Sequence, residues 1–126
     1  MKILLISFCG LLTFLILGLL VQSYLDDSAD FLNQKLAKVE PEIQSHNWKQ
    51  SLIILKSIEN SWKKTKPFWA VLTNHKEMDL IEEALIKTIK AVSCKSYTDA
   101  LINLSVLRDF INHIPEKERF SIVNVF

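Results

Sequence analysis

Glycine and proline are scarce in this chain, with two and three copies among 126 residues. A β sandwich or barrel needs more turns than that supply makes, so helices are favoured. A glycine-rich phosphate loop, a Gly-x-Ser-x-Gly elbow and a His-Glu-x-x-His motif are all missing. Their absence removes the usual signatures of nucleotide, acyl-transfer and zinc-peptidase chemistry. Neither sign of charge dominates: 15 basic and 14 acidic side chains leave a net charge of +1. No basic excess marks a nucleic-acid binder. The length suits a single domain.

Charge is absent altogether from residues 3–21, ILLISFCGLLTFLILGLLV. As a helix this run spans ~28 Å, close to the ~30 Å hydrocarbon core of a bilayer. Lys2 precedes it, while Asp26, Asp27 and Asp30 follow. A positive start stays on the cytoplasmic side and sends the rest of the chain outward. The expected layout is a membrane anchor over 1–24 and an extracytoplasmic helical domain over 25–126, a single-pass protein of the cell membrane. The run exceeds the ~7–15 apolar residues of a cleaved signal peptide. A retained anchor is therefore expected, with cleavage after "VQS" (21–23) as the alternative. Phe8 directly before Cys9 argues against a lipoprotein. Cys94 stands alone beyond the run, and a disulfide to Cys9 is excluded because one partner would lie in lipid. Lys2 is the sole basic residue before position 25, so the outer domain carries 14 basic and 14 acidic side chains.

Periodicity places the helices. Leu32, Leu36, Val39 and Ile43 form one helical stripe. The anchor helix thus runs on as a stalk, which Pro41 ends or kinks near Glu40. Asn47 caps a second helix over 48–64, with Trp48, Ser51, Leu52, Leu55, Ile58 and Trp62 on one face. Pro67 opens a third over 67–93, the longest of the outer domain, with Val71, Met78, Leu85, Ile89 and Val92 inward. Ser96 and Asp99 resemble a capping box for a fourth over 97–114, which Pro115 stops. Residues 47–62 also lie over 96–111 without a gap. Trp48 falls on Tyr97, Ser51 on Ala100, Leu52 on Leu101, Leu55 on Leu104, Ile58 on Leu107 and Trp62 on Ile111. Such an offset marks either two repeated helical hairpins or ordinary amphipathic coincidence. The fold class is all-α: an N-terminal transmembrane helix followed by an antiparallel three- to four-helix bundle.

The stretch NHKEMDLIEEAL, residues 74–85, carries the polar candidates. On the wheel of the third helix Glu82 lies ~20° from the buried centre, His75 about 40° and Asp79 about 80°. A carboxylate in an apolar stripe needs a partner. Arg108 on the fourth helix is the expected one, with a His75–Glu pair as the variant. His75, Asp79 and Glu82 on one helix face are also the metal-ligand candidates. Yet the Glu-x-x-His pairs of bundle di-iron sites are missing, and His113 points about 150° off its helix's apolar centre. A structural ion pair is the expectation, with no cofactor and no catalytic residue.

Trp69 and Leu80 lie about 160° and 180° from the same centre, and outward aromatics mark contact surfaces. WKKTKPFW either meets anionic headgroups or packs on a partner or on the stalk. The terminal RFSIVNVF is too apolar for a free tail. It folds into the groove of its own bundle or docks on another protein, with Phe126 as its last apolar residue. Trp69, Leu80 and Phe126 are therefore the interaction candidates.

The apolar anchor, "NW" opening a helix, KPFWAVLTNHKEMDLIEEAL, DALINLSVL and HIPEKERFSIVNVF together resemble an uncharacterised bacterial family of small single-pass membrane proteins. Its members come mainly from Gram-positive spore formers and are classed as a domain of unknown function. The resemblance covers nearly the whole chain and implies an extracytoplasmic helical domain with no assigned activity. The expectation is a membrane-anchored module that mediates protein–protein interaction or assembly of an envelope complex. A metal- or ligand-binding sensor is the alternative, and an enzyme ranks third. The expected contacts are the membrane, through residues 3–21, and an envelope or membrane protein, but no nucleic acid.

Overall fold

The computed structural model describes residues 1–125, the side chains at 121–123 and 125 excepted. Four helices follow in chain order: α1 (Lys2–Gln44), α2 (Trp48–Leu72), α3 (His75–Ser93) and α4 (Tyr97–Val125). α1 packs on α2 and α4, and α3 packs on the same two, which closes an up-down-up-down four-helix bundle. All-α architecture with a long first helix is as the periodicity predicts. The 43 residues of α1 make a rod of ~65 Å. Residues 2–20 place no side chain in the core, and Val21 is the first to pack against it. From Leu25 onward one stripe is fully buried: Leu25, Ala29, Leu32, Leu36, Val39 and Ile43.

All three prolines lie inside helices, contrary to their reading as stops or starts. Pro41 sits in the last turn of α1, where its carbonyl still accepts from the Ser45 amide at 2.9 Å. The bond it forfeits is to the carbonyl of exposed Ala37, within reach of water. Pro67 is more instructive. The buried stripe of α2 passes Leu55, Ile58 and Trp62 and arrives at Trp69, so it continues straight across the proline. An interior proline costs ~3 kcal/mol, while a buried indole of ~200 Å² contributes ~5 kcal/mol. Burial wins and the helix continues. Likewise α4 runs on through Pro115, which is itself buried beside Ile114.

The break between α2 and α3 comes at Thr73 and Asn74. Thr73 is extended, and the Asn74 side chain accepts from the Lys76 amide at 3.0 Å as the cap of α3. This shift of the boundary has three consequences. α3, with 19 residues, is the shortest of the four helices rather than the longest of the outer domain. Val71, expected in the core, ends α2 on its outer face and is 84% exposed. Trp69, expected outside, is fully buried: its ring meets Trp62 edge-on at 5.6 Å and its Nε1 donates to Ser28 Oγ at 2.8 Å.

The repeat reading gains a geometric counterpart. Ser51, Leu55, Ile58 and Trp62 are buried, and so are Ala100, Leu104, Leu107 and Ile111, while Leu52 and Leu101 are half-buried. The turns ahead of the two helices match as well. His46 (φ 57°) and Lys95 (φ 55°) both adopt the left-handed conformation. Asn47 N–H donates to Glu42 O and Ser96 N–H to Ala91 O, each at 2.8 Å. Both are Schellman caps closing a helical hairpin. His46 also stacks flat on Tyr97 at 4.9 Å and meets Trp48 edge-on, tying the two turns together at one end of the bundle.

Candidate interaction site

The polar candidates do not converge. His75 and Asp79 are exposed on the first turns of α3. Glu82 is a little over a third exposed and receives a hydrogen bond from Lys66 Nζ at 2.7 Å, across from α2. The ion-pair reading of Glu82 holds in kind, but its partner is not Arg108. That guanidinium pairs instead with Glu40 of α1 at 2.9 Å. α3 and α4 are neighbours, but the two side chains lie on the flanks turned away from each other: Lys66 approaches Glu82 across the α2–α3 seam and Arg108 meets Glu40 across the α1–α4 seam. Among the described residues, no three His, Cys, Asp or Glu side chains gather to hold a metal ion.

Two surfaces of another kind stand out. The first is the outer seam between α3 and α4. Leu80, Ala84, Val106 and Phe110 form its floor, and Glu83, Lys87, Asn103, Asp109 and His113 its rim. Two adjoining hollows of about 210 and 440 Å³ share Leu80 and Phe110. Leu80, singled out by its wheel position, is 39% exposed and Val106 37%. Periodicity missed Val106 and Phe110 because both flank the buried stripe of α4. A signal was there: Ile102, Val106 and Phe110 recur every four residues beside that stripe.

The second surface lies where α1 leaves the apolar run. The C-terminal turns of α2 come down beside it, with the Tyr24 and Phe68 rings 5.9 Å apart. Leu20, Val21, Tyr24, Phe68, Val71 and Leu72 line a cleft of about 420 Å³. α4 descends alongside α1, and Arg119 grips Asp26 with bonds of 2.8 and 2.9 Å. Gln22 Nε2 donates to the Pro115 carbonyl at 3.0 Å. The backbone of the apolar C-terminal segment continues α4 as helix to Val125, with Phe120 70% exposed. Phe126 lies outside the described residues.

One family, a domain of unknown function (DUF4363), matches residues 19–125. The match begins within the last turn of the apolar run and covers all of the bundle. No curated protein and no solved structure matches the chain.

Proposed function

The chain belongs to the DUF4363 family, and on that premise we propose that it is a membrane-anchored module whose helical bundle sits outside the cytoplasm and docks an envelope protein in the α3–α4 seam. Support for the anchor comes from α1, whose 18-residue apolar window has a mean hydropathy of 2.8 and is 0% buried. The same helix then forms one wall of the bundle and packs on α4, one of the two helices that make the seam. The orientation rests on Lys2 ahead of the run.

The seam carries the docking part of the reading. An apolar floor between two helices, rimmed by charges of both signs, suits the apolar face of a partner helix. The experiment is affinity capture of the full-length chain from solubilised membranes, comparing wild type, Leu80→Glu with Val106→Glu, and Ile53→Glu. Ile53 is 55% exposed on α2 and serves as the control for added charge. A partner held by wild type and by the Ile53 variant, but lost from the seam variant at unchanged melting temperature, is the expected result. Equal recovery from all three overturns the docking surface.

A further inference from the structure

We infer that the base of the bundle is sunk in the lipid surface, with the cleft between α1 and the end of α2 seating phospholipid acyl chains. This rests on the anchor reading above. The cleft is lined by apolar side chains alone apart from the Tyr24 phenol. Two of them, Leu20 and Val21, are the last residues of the apolar run itself. A cleft continuous with a lipid-facing helix surface opens at the depth where hydrocarbon meets headgroups, so lipid is the occupant already at its mouth.

The facing wall has the matching chemistry. Phe68 is 62% exposed and Val71 84%, and together they make an outward apolar face beside the cleft. Exposed Lys64 stands one turn before Phe68 on the same face of α2, at the height of phosphate groups when Phe68 and Val71 are immersed. Tyr24 is placed as an interfacial aromatic, its ring against Phe68. The aromatic and lysine content of WKKTKPFW thus divides by side: Trp62 and Trp69 hold the core, and Lys64 and Phe68 face the lipid.

The test uses the full chain, with Cys9→Ser and Cys94→Ser, in vesicles of phosphatidylcholine and phosphatidylglycerol. A nitroxide is attached at Val71→Cys, at Phe68→Cys, at Leu12→Cys in the apolar run, or at Lys87→Cys high on α3. Collisions with oxygen report lipid, and collisions with a polar nickel chelate report water. The labels at Val71 and Phe68 are expected to favour oxygen, as Leu12 does, while Lys87 favours nickel. A lipid-like Leu12 with water-like Val71 and Phe68 overturns the immersed base alone. A water-like Leu12 overturns the anchor itself. Protection of Val71 from both reagents, with spin–spin broadening that grows with protein density, assigns the cleft to a second copy of the chain and overturns the lipid seat.

Discussion

Glu82 shows how one side chain changes meaning with its partner. An isolated carboxylate in a buried stripe would destabilise the fold by several kcal/mol. With Lys66 at 2.7 Å and a third of each side chain in water, the pair instead behaves as a surface salt bridge. Exposed pairs contribute ~0–1 kcal/mol. Glu82→Gln is therefore expected to cost less than about 1 kcal/mol in a urea melt, with the loss shrinking in high salt. Zn²⁺ or Mn²⁺ is expected to leave the wild-type melting temperature unchanged, because His75, Asp79 and Glu82 are not gathered. Binding at a hundredfold excess over Kd would add ~2.7 kcal/mol, a rise easily seen. Such a rise, abolished in His75→Ala, would restore the metal reading. Lys35 is another placed charge: its Nζ donates to Ser57 and Ser61 hydroxyls and lies over the Phe31 ring, linking α1 to α2.

At the scale of the element, a side-chain cap marks the start of α3, and the proline at 67 does not. Asn74 satisfies an orphan amide of α3 with its side chain, whereas Asn47, although it occupies the equivalent position of α2, makes no such bond. Asn74→Ala is thus expected to cost ~1 kcal/mol, and Asn47→Ala clearly less. Paired denaturant melts of the two variants check this; equal losses would mean that the side-chain cap contributes nothing. Asn74 followed by Glu77 three positions later is also the sequence signal for this boundary. Proline at position 67 drew the expected start of α3 eight residues upstream of His75, and that one displacement reversed the faces assigned to both Trp69 and Val71.

Across the whole molecule, stability comes from one closed core. Leu104 of α4 is 1% exposed and sits in the same cluster as Leu32, Leu55 and Leu85, one from each of the other helices. Leu104→Ala is expected to lower unfolding stability by ~2–5 kcal/mol. A cost near zero by denaturant titration would mean that the bundle collapses into the gap or that the core is misassigned. Because α1 carries both the apolar run and one stripe of the core, loss of the bundle fold would also uncouple the two.

Fold class, the apolar run, the helical hairpins and most of the core were legible because each is a matter of local periodicity. Leu25 to Ile43, Leu55 to Trp62 and Ala100 to Ile111 repeat at helical spacing whatever surrounds them, and no charge interrupts residues 3–21. Three things were decided only by the tertiary structure. Helix continuation through Pro67 depends on the burial gained by Trp69 against Trp62 and Ser28, which no local rule contains. The partners of Glu82 and Arg108 depend on which flank of its helix each occupies in the closed ring, since α2 reaches the first and α1 the second. The cleft at the base depends on bringing residues 20–24 beside residues 68–72, nearly fifty positions apart, so that the end of the apolar run and the end of α2 become one apolar surface.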